Sequence, residues 1–551
     1  MPEQPYEKWH ILNVRRKKDR EILQAIISPV GEESTAAQSV LDYVMHPPKS
    51  KKLSLCQTVL VEHGYFDQDY IDSVSTFYSK MFKGVERLCT RLHFFSTKLK
   101  NSDVAGFRAL ERLQDYYLGF SIKRPLETKI LGRSAIRPRR DEPETEFHTC
   151  KADMPVNVAG STLFAKAAPY MEQDSRVQTC SSVAIWVSTT IIAHALDYPK
   201  YTTSQIMDYA TRDITGTRVG PTEGLTYEQM MHALKIMGYE PIIFDETDPF
   251  EALYEVYCYI ESELPPILLL TLPNGTYHAI TALGHGHKRP LRRATHITVE
   301  SQGSTTLKYF RSSEWVPFFY VHDDQRGIYR RLKFLRANPA RLRQKINALH
   351  KNVGLSPEIS VDLKQWHCPI SIETNSTLGN TPKESIANLW GVIVPLPKGV
   401  TLNHTEAEGK AVGIIPRCAA RCGLELPDDL VLRCYLTPSN RYKSALGQRD
   451  DMGSFVRIFY QGKPMPKYLW VIEMSTAKLM NTARLDELRV RGELLLDASS
   501  NPWPTDFVAF HWVDDENKGH LLTMSQDDIS IEEALSDVWH GPDVPYGPMV
   551  R

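Results

Sequence analysis

Residues 173–196 read QDSRVQTCSSVAIWVSTTIIAHAL, and this stretch decides how the rest of the sequence is interpreted. Apolar residues recur four positions apart from Val183 to Ala195, which predicts a helix with buried faces. Cys180 stands at the start of this helix and is followed by two serines that suit a first turn. Unpaired backbone N–H groups and the positive end of the helix dipole stabilise a thiolate at such a position. Cys180 is therefore the candidate nucleophile.

A histidine at the start of a predicted strand is the candidate base. Residues 265–286 read PPILLLTLPNGTYHAITALGHG, a buried-strand pattern followed by a turn and a second strand that His278 opens. A third segment, WVPFFYVHDD (residues 315–324), ends in Asp323 and Asp324. A cysteine nucleophile needs a base within hydrogen-bond reach, and a carboxylate commonly orients the imidazole. We expect the thiol, the imidazole and the Asp323 carboxylate to meet in one cleft, with Asp324 as the alternative third member.

Three regions are predicted along the chain. Residues 1–145 are expected to be mostly helical with one pair of strands, because the segment 67–99 carries an apolar stripe at helical spacing. The charged stretch RPRRDEPETE (residues 137–146) carries no apolar pattern and marks the first boundary. Residues 150–330 form the central unit, and residues 331–551 form a C-terminal α+β accessory domain.

The central unit combines early helices with later strands. Thr226 and Gln229 form a capping box at the start of one helix, and Gly238 ends it. Helices followed by a run of strands favour an α+β fold over an alternating parallel sheet. The predicted helices are 180–196, 203–211, 226–237 and 249–262, and the predicted strands are 239–244, 266–272 and 277–284.

The composition is that of an ordinary globular protein. Of the 551 residues, 42% are hydrophobic and 24% are charged, and the formal net charge is −1. This balance supplies no general attraction to nucleic acid or to an anionic membrane, so neither is an expected partner. No apolar run is long enough for a membrane span, and the N-terminus lacks the apolar core of a secretion signal. The nine irregularly spaced cysteines predict a reduced, cytoplasmic protein and no disulfide framework.

Three features of the central unit resemble the papain-like cysteine peptidases, and most closely their bacteriocin-processing (C39-like) branch. The first is Gln173 upstream of Cys180 at the head of a long apolar helix. The second is GLTYEQMMHALKIMG (residues 224–238), which is similar to the helix after the nucleophile in that branch. The third is GTYHAITALGHG (residues 275–286), where a histidine precedes an apolar strand. The resemblance covers residues 155–330 and none of the flanking sequence.

The resemblance implies a papain-like fold and a thiol-dependent hydrolase. The expected reaction is cleavage of a peptide or isopeptide bond in a protein or peptide substrate by the Cys-His-Asp triad. The family's oxyanion-hole glutamine corresponds to Gln173, with Gln178 as the rival position, and the family's glycine after the nucleophile is replaced by Ser181. No cofactor is implied, and the sequence carries neither a P-loop nor a Rossmann glycine motif.

Other functions stay open at this point. The same triad can deamidate glutamine or transfer an acyl group to an amine, as in transglutaminase-like enzymes, because only the acceptor differs. A papain-like unit without activity would be a binding or scaffold protein. His285 and His287 form a His-x-His pair, and Cys418 and Cys422 lie four positions apart, but no further ligand is placed beside either pair. We therefore predict no metal site, and no feature indicates an oligomeric state.

Overall fold

The computed structural model describes part of the chain. Strands hold more of these residues than helices do. The described residues are 9–27, 35–45, 56–80, 84–126, 130–139, 146–173, 179–212, 224–245, 248–288, 295–300, 306–335, 366–373, 384–447, 454–482, 490–499, 507–513, 519–524 and 529–532.

The strands fall along the whole described chain. They are β1 (Trp9–Asn13), β2 (Thr58–Tyr65), β3 (Cys89–Phe95), β4 (Tyr117–Lys123), β5 (Leu131–Ile136), β6 (Glu146–Thr149), β7 (Ala152–Val158), β8 (Ser161–Ala167), β9 (Pro169–Tyr170), β10 (Tyr239–Asp245), β11 (Ile267–Thr271), β12 (Tyr277–His287), β13 (Ile297–Glu300), β14 (Thr306–Arg311), β15 (Phe319–Asp323), β16 (Gly327–Phe334), β17 (Cys368–Glu373), β18 (Glu384–Pro397), β19 (Leu430–Pro438), β20 (Tyr468–Thr476), β21 (Gly492–Asp497), β22 (Ala509–Val513), β23 (Gly519–Met524) and β24 (Ile529–Glu532).

The helices also fall along the whole described chain. They are α1 (Lys17–Ile27), α2 (Thr35–Met45), α3 (Gln68–Thr76), α4 (Asn101–Ala105), α5 (Cys180–Leu196), α6 (Thr203–Thr211), α7 (Tyr227–Ile236), α8 (Pro249–Glu261), α9 (His404–Arg421), α10 (Ser439–Gly447), α11 (Ser454–Gly462) and α12 (Ala477–Thr482), with short 3₁₀ helices at Tyr78–Lys80, Ala109–Tyr116 and Ser312–Trp315.

The centre of the molecule is an antiparallel barrel of six strands. Its order is β18-β11-β12-β15-β16-β17, and β17 returns to pair with β18. The long strand β18 makes this closure possible, because its first half pairs with β17 and its second half pairs with β11 and β10. The strands β17 and β18 come from residues 368–397, so the barrel takes strands from both sides of position 331.

The N-terminal region is built on a sheet, so the expectation of a mostly helical region is wrong. Its antiparallel order is β1-β2-β3-β4-β5-β9, and the β7–β8 hairpin packs beside it with every second residue of β7 buried. The predicted helix over 67–99 divides into helix α3 and strand β3. Nearly every residue of β3 is buried, so the segment lacks the alternation of buried and exposed residues that marks a half-buried strand.

The C-terminal sheet has the order β13-β14-β19-β20-β21-β22-β23-β24. Strand β14 pairs with β19 in parallel, and the other neighbours are antiparallel. Helix α9 packs on β19, β20 and β21 and continues through Pro416. The packed face of α9 offsets the hydrogen bond that proline removes from a helix interior.

Helix α5 lies against the wall of the barrel and is buried on almost every side, which explains why it is apolar all round. The Thr281 hydroxyl on β12 donates to the carbonyl oxygen of Ala184, at 3.1 Å. The Ser188 hydroxyl donates to the carbonyl oxygen of Pro265, at 2.5 Å. These bonds hold the helix that begins at Cys180 against the strand that begins next to His278.

The predicted fold class is therefore wrong. We expected a multidomain α+β protein with a central papain-like fold between a mostly helical N-terminal region and an α+β C-terminal domain. The chain instead forms an N-terminal sheet, a central barrel and a C-terminal sheet, and one buried apolar cluster passes through all three. The pairings that define this layout join distant segments, such as β11 with β18, and local periodicity carries no information about them.

Candidate functional site

Cys180 is the first residue of α5. Thr179 caps the helix: its hydroxyl accepts from the Ser182 backbone N–H at 3.4 Å, and its own N–H donates to the Ser182 hydroxyl at 3.2 Å. This capping box fixes the direction in which the helix starts. The Cys180 side chain is half-buried, so the thiol lies at the positive end of the helix dipole and within reach of solvent.

His278 lies at the second position of β12, directly opposite Leu270 of β11. The tight turn before it is closed by two backbone hydrogen bonds between Leu272 and the residues that follow, and Gly275 takes a positive φ of 80° there. The turn places the imidazole at the end of the barrel, where the His278 side chain is only 1% exposed.

Asp323 ends β15 and is the most heavily bonded carboxylate of the site. Its Oδ1 accepts from His278 Nε2 at 3.2 Å and from the backbone N–H groups of Gln325 and Arg326 at 3.0 and 3.1 Å. Its Oδ2 accepts from the Arg326 guanidinium at 2.5 Å. The carboxylate is therefore held by the turn between β15 and β16 while it holds the imidazole.

The buried charges of the site stabilise one another. Burial alone would lower the pKa of His278, but the charge and hydrogen bond of Asp323 raise it well above its ordinary value, with further contributions from Cys180 and Asp324. Burial alone would raise the pKa of Asp323, but Arg326 and His278 hold it well below its ordinary value. The arrangement thus favours an imidazolium beside a carboxylate, with both side chains buried.

The Cys180 side chain lies close enough to the His278 ring to contribute to the raised pKa of that ring. Because Nε2 is directed at Asp323, Nδ1 is the nitrogen left for the thiol. Nδ1 is buried and has no hydrogen-bond partner of ordinary length among the described residues. A ring nitrogen in this position can take the proton from the thiol.

Asp324 is the second carboxylate at the imidazole. Its Oδ1 lies 3.6 Å from His278 Nε2, farther than Asp323. One ligand atom from each of His278, Asp323 and Asp324 lies within 4.8 Å of the others, which is the spacing of a possible metal site. A cation there would have to displace the Nε2–H donor and lie beside the Arg326 guanidinium. The donors already bound to Asp323 therefore fit a hydrogen-bonded triad better than a metal centre.

Of the two glutamines predicted for the oxyanion hole, only Gln173 is among the described residues. Gln173 is half-buried and is the last described residue before the segment 174–178. Gln178 lies outside the described residues. The first turn of α5 offers another donor, because the backbone N–H of Cys180 has no acceptor within the helix.

Two features of the site were missed by the sequence reasoning. Arg326 follows Asp323 by three positions, and a basic residue at that spacing in a turn was a usable signal. A group of three aromatic rings, Tyr227, Tyr277 and Trp390, lies next to the triad. Trp390 gave no signal, because it belongs to a strand that only the folded barrel brings near His278.

The remaining candidate ligands have other environments. His285 makes a short hydrogen bond to Glu261 at 2.5 Å. Cys418 is buried in the core, and Cys422 packs against that core. Within the described residues, no helix is both long and apolar enough to cross a membrane. Comparison of the chain with protein-family models and with curated proteins finds no match.

Proposed function

We propose that the chain is a thiol-dependent hydrolase that cleaves an amide bond in a protein or peptide substrate. One observation carries the proposal: side chains from three separate elements converge, with His278 Nε2 at 3.2 Å from Asp323 Oδ1 and the Cys180 side chain close enough to the same ring to contribute to its raised pKa. Nucleophile, base and orienting carboxylate are the parts that such a reaction needs.

The reaction runs in two steps. His278 takes the thiol proton, and the Cys180 sulfur attacks the carbonyl carbon of the substrate to form a tetrahedral oxyanion. The Cys180 backbone N–H and Gln173 stabilise the oxyanion. The imidazolium then gives its proton to the leaving nitrogen, and the C–N bond breaks to leave a thioester. Water, deprotonated by His278, attacks the thioester, which releases the acid and restores the thiol.

Selective alkylation tests the proposal. All nine cysteines are described, and only Cys180 and Cys422 are half-buried, so Cys422→Ala is the matched control. We expect iodoacetamide at limiting concentration and neutral pH to modify Cys180 first, as read by peptide mapping. His278→Ala is expected to slow that modification by about a hundredfold, because the base is lost.

The outcomes are separable. Total labelling by a thiol-directed activity probe should vanish in Cys180→Ala and persist in Cys422→Ala. Labelling that is unchanged in Cys180→Ala, or a Cys180 alkylation rate that is unchanged in His278→Ala, would refute the proposal.

A further inference from the structure

Three aromatic side chains form a group beside the triad, which we call the aromatic group: Tyr227, Tyr277 and Trp390. The Trp390 ring contacts each tyrosine edge to face, with centroid distances of 6.1 Å and interplanar angles of 76° in both cases. Tyr277 is 75% exposed and Tyr227 is 42% exposed. Exposed rings that cluster at one site are characteristic of binding surfaces.

Trp390 reaches the group through a bulge in β18. Leu269 of β11 pairs with Gly391, while Leu270 pairs with Leu389, so Trp390 is the extra residue of the ladder. Leu270 pairs on its other side with His278. The bulge on β18 and the imidazole on β12 are therefore separated by the single strand β11. Bulges re-aim a side chain and are frequent next to active sites.

Two members of the aromatic group are near the reacting side chains, one through a hydrogen bond of a neighbouring residue and one through its position in the sequence. The Ser181 hydroxyl, next to the thiol, donates to the carbonyl oxygen of Leu225 at 3.5 Å, two residues before Tyr227. Tyr277 directly precedes His278. The aromatic group therefore lies close to both Cys180 and His278.

Two carboxylates lie against the aromatic group. Hydrogen bonds from Tyr227, Thr226 and its own backbone hold the pKa of Glu228 below its ordinary value, so that carboxylate is ionised. Asp245 of β10 pairs with Gly391, next to Trp390. Glu228 and Asp245 are the charged groups that act on the Tyr227 hydroxyl within the described part of the chain, and both raise its pKa. The surroundings of the rings are therefore negative.

We propose that the aromatic group binds a basic side chain, lysine or arginine, of the peptide substrate beside the bond that Cys180 attacks. The inference rests on the proposed function and names its substrate class. Ring faces attract a cation, and the carboxylates of Glu228 and Asp245 complement its charge. The Trp390 Nε1 is buried and has no acceptor among the described residues.

Paired covalent probes test this specificity. The probes are short acetylated peptidyl acyloxymethyl ketones that carry lysine at one of the three positions before the ketone, and norleucine in the matched probe. We expect the lysine probe to label Cys180 about tenfold faster at one position. Trp390→Ala and Asp245→Asn are expected to abolish the preference. Phe107→Ala is the control, because this ring is 93% exposed in the N-terminal region.

Binding without chemistry separates this inference from the proposed function. The Cys180→Ala chain is titrated with fluorescently labelled pentapeptides, one with a central lysine and one with a central norleucine. Lysine preference here, without labelling of the native chain, would support the subsite and refute the hydrolase. Labelling with equal rates for both probes, or faster labelling by norleucine, would refute the basic subsite and leave the hydrolase standing.

Discussion

Asp323 is the residue on which the electrostatics of the site depend. Its two oxygens accept from an imidazole, two backbone N–H groups and a guanidinium. A buried carboxylate is stable only with such partners, because its desolvation costs several kcal/mol. The turn residues Gln325 and Arg326 therefore fix both the position and the ionisation of the group that orients His278.

Replacement of Asp323 by asparagine should move the pH dependence of the reaction. Asparagine removes the negative charge, so burial dominates and the pKa of His278 falls. Since the imidazolium donates the proton to the leaving nitrogen, the alkaline limb of kcat/KM should move to lower pH by about one unit or more. Asp324→Asn is the control, because its 3.6 Å contact contributes less, and the limb should move less. An unmoved limb in Asp323→Asn would contradict the assigned role.

The same pKa shift links the site to stability. A raised pKa of His278 stabilises the folded chain fully below the unfolded histidine value of about 6.5, and this contribution is lost as the pH rises through the folded value. The lowered pKa of Asp323 acts in the opposite range, because its contribution is present above about pH 3.9 and is lost as the pH falls through the folded value. The site therefore contributes most to stability between these two unfolded values.

At the scale of elements, the start of α5 places the thiol. Thr179→Ala removes the cap and should lower the free energy of unfolding by about 1 kcal/mol, as measured by urea unfolding. Asn403→Ala, which removes the same kind of capping box from α9, should cost about as much. Only Thr179→Ala should also slow the alkylation of Cys180, by about two- to fivefold, because the first turn frays. Equal alkylation rates in the two variants would show that the cap does not position the thiol.

Helices of the centre were predictable from sequence because their signals are local. The predicted helix over 180–196 matches α5, and the capping box of Thr226 and Gln229 is formed as predicted at the start of α7. Strand β3 was mistaken for helix because both of its faces are buried. The aromatic position at Trp390 could not be predicted, since a bulge is defined by the pairing partner and not by its own sequence.

At the scale of the whole molecule, ion pairs join the barrel region to the C-terminal sheet. Arg433 of β19 bonds Glu473 at 2.7 Å through Nη1 and Glu261 at the end of α8 at 3.0 Å through Nε. Arg311 of β14 bonds Glu251 at the start of α8 at 2.7 Å through Nη1. These contacts make α8 a shared element between the two sheets.

Glu261→Ala should destabilise the chain strongly. The change removes one of the two carboxylates that pair with Arg433. Breaking such a nearly buried pair costs about 3–5 kcal/mol. Burial would raise the pKa of Glu261, but Arg433 and His285 hold it well below its ordinary value. Its stabilisation is present above the unfolded value of about 4.3 and is lost as the pH falls further. Urea unfolding at several pH values measures both effects.

The pair of Arg108 and Glu111 supplies the control for that experiment. Its two side chains are 60% and 29% exposed, so solvent screens their charges and Glu111→Ala should move the midpoint of unfolding much less than Glu261→Ala. A shift in Glu261→Ala no larger than that of Glu111→Ala would contradict the view that the buried pairs fasten the two sheets.

The overall topology could not be read from the sequence, although the three candidate site residues could be singled out. Cys180, His278 and Asp323 stand at the ends of strongly patterned segments, and the ends of elements are visible in hydrophobic periodicity. The parallel pairing of β14 with β19 and the closure of the barrel depend on which distant edges meet. Those choices follow from the burial of whole faces and not from any single segment.

Closure of the barrel by β18 has a consequence for biosynthesis. Cys180, His278 and Asp323 all leave the ribosome before residues 384–397 are translated. Until then β11 has an open edge, and the strand that carries the imidazole is not part of a completed ring. A nascent chain thus holds every reacting group of the proposed enzyme before the scaffold around them can close, and we expect it to stay inert towards neighbouring polypeptides until synthesis has passed that strand.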